Sequence, residues 1–152
     1  LYVPETIPQM SHRDISALQG LSYEDVAFRV MQPFIGDTFS DAEFSDIISR
    51  AYAGFGHRAR APMVQLDSNH FLLELFHGPT IAFKDYAMQF LARAFDRALK
   101  KNRQHAVIVG ATSGDTGSAA LEAFKGRDAV DIFILFPDGR VSPVQQSQKQ
   151  QL

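Results

Sequence analysis

Two uninterrupted apolar runs, Ala106-Val-Ile-Val109 and Ile132-Phe-Ile-Leu-Phe136, stand about one helix apart in the chain. Runs of this length suit strands buried on both faces, and the stretch between them supplies the connection. It opens with small and hydroxyl residues, Gly110-Ala-Thr-Ser-Gly-Asp-Thr-Gly117, continues as a helical pattern over 116–125, and stops at Gly126. A strand, a helix and a second strand of this kind form a parallel pair joined by a crossover, so the region is α/β.

The elements on either side agree. Ala87, Leu91, Ala94, Phe95 and Ala98 recur on one face of a helix over 84–101, with Asp85 early and Lys100 and Lys101 late, as the helix dipole favours. Residues 62–66 and 71–76 read as two short strands around the turn Asp67-Ser-Asn-His70. Upstream, Pro4 and Pro8 favour an extended entry over residues 1–12. Ser22 with Asp25 starts a helix that should stop near Pro33, and Ser40 with Glu43 starts another that ends at Gly54 and Gly56. Pro137-Asp-Gly139 closes the last strand, and Ser142 with Pro143 opens a further helix. The organisation is therefore a mainly helical segment, 1–62, before an α/β region, 63–152, and both ends of the chain look cut.

Charge and composition narrow the function. Fifteen Lys and Arg against seventeen Asp and Glu leave a formal net charge of −2, with no basic surplus to attract nucleic acid or an anionic membrane. No apolar run reaches the length that spans a bilayer. The absence of cysteine removes disulfides and thiolate metal sites and makes a reducing compartment the default. Small molecules are the expected partners. His12, His57 and His105 fall in loops or at element ends, while His70 and His77 show no local carboxylate pattern, so no metal site is expected.

Two constellations carry chemistry. The loop 110–117 lies where a strand gives way to a helix, and its backbone N–H groups beside the positive end of the dipole suit a carboxylate or phosphate. Its glycine spacing matches neither a P-loop nor a dinucleotide fingerprint. The plainer alternative is a tight turn in which Asp115 or Thr116 caps the helix. The second constellation is Lys84, at a helix start and flanked by Ile81, Ala82 and Phe83. Dipole and desolvation both favour a neutral amine there, the state in which lysine attacks carbonyls, as in pyridoxal-phosphate enzymes. A surface lysine that snorkels is the alternative. Arg140, just past a strand end, is a candidate anion partner.

Leu75-Phe-His-Gly-Pro-Thr-Ile-Ala-Phe-Lys-Asp85, Gly110-Ala-Thr-Ser-Gly-Asp-Thr-Gly-Ser-Ala-Ala120 and Phe136-Pro-Asp-Gly-Arg-Val-Ser-Pro-Val-Gln145 closely resemble threonine synthase. Leu1-Tyr-Val-Pro-Glu-Thr-Ile-Pro8 is similar to that family's N-terminal region, while residues 146–152 drift from its pattern and the family's members are far longer. The resemblance implies an N-terminal part of a fold-type II pyridoxal-phosphate enzyme, tryptophan synthase β-like, with a parallel sheet and flanking helices. It implies conversion of O-phospho-L-homoserine and water to L-threonine and phosphate in the cytoplasm, by a monomer or homodimer. On this pattern Lys84 is the Schiff-base lysine, and Phe83, Asp85 and Asp115 belong to the cofactor pocket. Ser113, Gly114, Asp115, Thr116 and Gly117 grip the substrate carboxylate, and Arg140 reaches its phosphate. The cofactor's phosphate cup would come from sequence beyond residue 152, leaving the chain alone inactive. Two alternatives stand beside this: a related phospho-lyase that releases 2-oxobutyrate, and a non-catalytic remnant that folds or binds a partner.

Overall fold

The structure is a computed structural model that describes residues 3–139 together with Pro143 and Ser147. It divides into two compact units, Leu1–Ser49 and Arg50–Leu152.

The first unit is built from capped helices. Helix α1 (His12–Ser16) starts at Ser11, whose hydroxyl accepts from the Asp14 N–H while the Asp14 carboxylate accepts from the Ser11 N–H. This short helix replaces part of the extended entry expected over 1–12, and its Ser-x-x-Asp signature is the one that marks the next helix. Helix α2 (Tyr23–Ile35) is capped by Ser22. It does not stop at Pro33 but runs two residues further before a 3₁₀ turn over Gly36–Thr38. Pro33 falls in the last turn, so its missing N–H removes a single bond from a helix that is already ending. Helix α3 (Asp41–Tyr52) begins with reciprocal Ser40 and Glu43 bonds. Phe44 and Ile48 on it are each 1% exposed, and the Phe44 ring packs 5.1 Å from that of Phe28.

The second unit carries a hairpin and an α/β core. Strands β1 (Met63–Gln65) and β2 (Phe71–Leu73) pair antiparallel around Asp67, whose Oδ1 accepts from the N–H groups of Asn69 and His70. Helix α4 (Asp85–Lys101) leads to β3 (Ala106–Ala111), then α5 (Asp115–Phe124) and β4 (Val130–Leu135). β3 and β4 are parallel, with Val109 opposite Phe133. Ala92, Leu99, Ala123, Phe124, Ala129 and Val130 form the core, against which Met88, Phe95, Ile108 and Ile132 pack. Asp96 joins the layers: its buried Oδ1 accepts from the Ala129 N–H at 3.1 Å, at the entry to β4.

Among the described residues the strands are covered on one face only, not two. Val107 (59% exposed), Val109 (67%), Phe133 (59%) and Leu135 (63%) point away from α4 and α5. Alternation puts every second side chain on each face, and the described helices of this unit supply one layer. The helix expected from Ser142 lies outside the described residues apart from Pro143 and Ser147.

Candidate active site

Lys84 occupies the N-cap position of α4, at the end of a fastened turn. The Ile81 N–H donates to the Gly78 carbonyl at 3.1 Å, and the Asp85 N–H to Ala82 at 3.0 Å. Asp85 is 0% exposed: its Oδ2 accepts from the Thr80 N–H at 2.8 Å and its Oδ1 from the Thr80 hydroxyl at 2.7 Å. Ile81 takes φ 62°, a left-handed value that branched side chains avoid. On the far side of the lysine, the Tyr86 hydroxyl donates to the Arg60 carbonyl at 2.6 Å, and its carbonyl accepts from the Tyr52 hydroxyl at 3.1 Å. Before the turn, the His77 carbonyl accepts from the Gly56 N–H, and its Nε2 stands 2.7 Å from Glu74 Oε2. His70 Nδ1 likewise meets Asp67 at 2.6 Å. Both histidines therefore have a carboxylate three residues earlier, contrary to the expectation of none. The spacing is reached in extended and turn backbone, not on a helix.

The lysine itself is left available. It is half-buried, with Nζ 4.4 Å from the centroid of the half-exposed Phe83 ring. Among the described residues its ammonium makes no hydrogen bond or ion pair. Cation–π attraction orients a cation without consuming its N–H donors.

The second half of the site begins where β3 ends. The Thr112 N–H still pairs with the Leu135 carbonyl, and the Thr112 hydroxyl then accepts from the Gly114 N–H at 3.2 Å, turning the chain. Gly114 is the N-cap of α5 and has no side chain with which to cap it. The reading in which Asp115 or Thr116 merely caps it is thus replaced: Asp115 is the first helical residue, and the dipole's positive end faces outward. Ser113, Asp115 and Thr116 are exposed, whereas Gly117 is buried. Ser118, one residue on, buries a hydroxyl that has no hydrogen-bond partner among the described residues.

Topology brings the halves to one edge. Leu99, late in α4, belongs to the cluster against which Ala106 at the start of β3 packs, while Met88, one turn after Lys84, shares a cavity of about 390 Å³ with Gly110, Thr112 and Thr116. α4 thus runs antiparallel to β3, and the start of α4 and the 112–117 loop both sit at the carboxyl end of the strands, where ligands of open α/β sheets bind. The cavity walls are apolar, from Leu91, Phe95, Ile108 and Ile134, and its hydroxyls come from the loop. Of the residues expected at the site, Lys84 and Phe83 stand at this edge with Ser113 to Gly117, Asp85 lies buried beneath the turn, and Arg140 is outside the described residues. Thr80 and Thr112 both lie inside the motifs given above, 75–85 and 110–120, without a role of their own in the sequence, and a clasp between Thr80 and Asp85 has no local sequence signature.

The known proteins that this chain is similar to are threonine synthases. Residues 1–52 match the family described as threonine synthase N terminus. The threonine synthase of Pseudomonas aeruginosa is 51% identical over 97% of this chain, which covers 32% of that protein. The crystal structure of PLP-bound threonine synthase from Brucella melitensis superimposes with a TM-score of 0.94 at 57% identity, over 97% of this chain and 32% of the other. Yeast threonine synthase follows with a TM-score of 0.90 at 39% identity, over 96% of this chain and 31% of its own. The chain thus spans about a third of the length of the relatives it matches.

Proposed function

Since this chain belongs to the threonine synthase family and has its fold-type II architecture, we propose that it supplies the lysine and the substrate loop of an enzyme making L-threonine and phosphate from O-phospho-L-homoserine and water. The observation that carries this reading is that the start of α4, which bears Lys84, and the Gly114 start of α5 both lie at the carboxyl end of the strands, where Met88 shares a cavity with Thr112 and Thr116.

These residues fit pyridoxal phosphate. Among the described residues the Lys84 Nζ makes no hydrogen bond or ion pair and stands beside an exposed aromatic ring, and α5 starts at Gly114, which has no side chain to cap the first helical N–H groups. When bound, that cofactor supplies an electron sink for charge developing on the substrate carbons. The overall reaction breaks the Cγ–O bond to phosphate and adds water at Cβ, so the site has to move protons at neighbouring carbons. Lys84 Nζ is the amine that would hold the cofactor, and the same amine would take and return those protons. The N–H groups and hydroxyls of Ser113 to Gly117 orient the substrate carboxylate, which a helix N-terminus favours. On this reading Asp115 and Phe83 would line the cofactor pocket, Asp85 would support it, and Arg140 would meet the substrate phosphate. Partners are this small molecule and, for a homodimer, a second copy. A biosynthetic reaction on intracellular metabolites supports a cytoplasmic setting.

The test uses the full-length protein with O-phospho-L-homoserine. Threonine and phosphate in equal amounts, with loss of the visible cofactor band in Lys84→Ala, is the expected result. Release of 2-oxobutyrate without threonine would establish a phospho-lyase instead. A colourless wild type after incubation with pyridoxal phosphate would point to a non-catalytic protein.

A further inference from the structure

The geometry points to Asp85 as a positioning residue that sets Lys84 for cofactor capture through its clasp on Thr80, without touching cofactor or substrate. This rests on the assignment of Lys84 above. A carboxylate at 0% exposure, with each oxygen engaged by Thr80, is closed to a ligand arriving from solvent. What it does hold is the turn. Oδ2 fixes the main chain of residue 80 and Oδ1 fixes its side chain, so the segment immediately before the lysine is tied to the first residue of α4.

Two further features show that this clasp dictates the backbone. Gly78 lies so close under Asp85 that a Cβ there would meet the carboxylate. Ile81 holds its left-handed φ of 62° with 70% of its surface exposed, so its own packing does not explain the conformation. Strained backbone persists where surrounding contacts over-determine it, and the contacts that span Ile81 are the Gly78 carbonyl bond before it and the Thr80–Asp85 pair around it. Residues 82–84 follow without a free segment, since Asp85 N–H bonds to Ala82 and Met88 N–H to Lys84. The direction in which Lys84 leaves the helix is thereby set by a carboxylate one residue away.

Asp85→Asn, Thr80→Val and Thr80→Ser in the full-length enzyme test this. Apoenzyme is mixed with pyridoxal phosphate, reduced with borohydride at timed intervals, and the peptide bearing residue 84 is quantified by mass spectrometry. A misplaced reactive group costs on the order of tenfold or more, so Asp85→Asn and Thr80→Val should label Lys84 at least that much more slowly. kcat should fall with little change in KM, because the 113–117 loop is untouched. Thr80→Ser, which keeps both bonds, should label as the wild type does. Labelling of Asp85→Asn at the wild-type rate with unchanged kcat overturns the proposal, whatever happens to its melting temperature. If Asp85→Asn does not fold, Thr80→Val is read by the same criterion, since it removes the hydroxyl bond alone. Failure of the parent assignment is separate: the label in wild type would then appear on another lysine, or persist in Lys84→Ala.

Discussion

Gly78 and Asp85 are packed so closely that a Cβ on residue 78 would stand 2.5 Å from Asp85 Oδ2 and 2.8 Å from its Cγ. The obstructing atoms belong to a buried, doubly bonded carboxylate and cannot swing aside as a flexible surface side chain would. Gly78→Ala is therefore expected to lose about 1–3 kcal/mol. Urea unfolding of the full-length protein measures this, and a loss below about 0.5 kcal/mol would show that the turn yields easily.

Ile81 offers the opposite change. A left-handed conformation costs an L-residue about 1–2 kcal/mol, and asparagine tolerates it better than a branched side chain. With its side chain largely in solvent, Ile81→Asn gives up little apolar burial. Stability should rise by about 1 kcal/mol, read from the same urea titrations, while a fall would mean that Ile81 makes contacts elsewhere in the intact protein.

Gly114 separates ligand binding from folding. It has no positive φ and nothing within 4 Å of an added Cβ, so the unliganded fold does not require glycine there. Gly114→Ala should leave stability within about 0.5 kcal/mol of wild type. KM for O-phospho-L-homoserine should nevertheless rise severalfold, because a methyl group would stand where a carboxylate approaches the N–H groups. Unchanged KM in steady-state assays would remove the loop from the substrate site.

The charged surface should produce two limbs in stability against pH. The Ser11 hydroxyl and N–H hold Asp14 below the usual 3.8, the N–H of Asn69 and the ring of His70 do the same for Asp67, and Lys100 does so for Asp128. Depressed carboxylates contribute fully above their unfolded value, and that contribution disappears as pH falls through the lower folded one. Lys100 is raised above 10.5 by Asp128 and Asp96, so its contribution is complete below 10.5 and is lost as pH rises through the folded value. The urea midpoint should accordingly be flat from about pH 5 to pH 9 with respect to these groups. Lys100→Met should shrink the alkaline limb and Asp67→Asn the acid one. All four groups are exposed, so added salt should shrink both limbs.

Val109 and Phe133 face each other on the bare side of the β3–β4 pair. An exposed apolar sheet face of this kind favours association. The 152-residue chain should sediment as more than a monomer and bind a hydrophobic dye, and Val109→Lys with Phe133→Lys should reduce both. A monomeric wild-type chain with no dye binding would contradict this. In the full-length protein the same pair of substitutions should instead cost stability, since lysine would be forced under whatever covers the face.

The features legible in the sequence were those whose causes are local. Ser22 and Ser40 announce helices because a cap needs only a hydroxyl and an N–H three residues on, and Asp67 announces its turn in the same way. The two halves of the candidate site could be located too, since a lysine at a helix start and a hydroxyl-rich loop after a strand are both short-range patterns. Longer-range causes were hidden. The runs at 106–109 and 132–136 are apolar on both faces, and periodicity does not say whether the cover for each face is a helix of this unit or something else. The role of Asp85 was obscured because its partner lies across a turn whose shape depends on Gly78 and Ile81 together. Pro33 misled because the penalty of proline depends on how much helix follows it.

The core around Asp96 has a temporal meaning. Every residue that builds it, from Met88 to Ile132, comes from one continuous stretch of chain, and the bond from Asp96 to the Ala129 N–H closes that stretch. Short sequence separations favour fast folding, and a growing polypeptide folds such units as they appear. Helix α4, the pair β3–β4 and α5 can close together once residue 135 has cleared the ribosome. The edge that presents Lys84 and the loop after β3 would then exist as a template before translation of the remainder of a chain of its relatives' length is complete, so that downstream segments assemble onto a site already shaped.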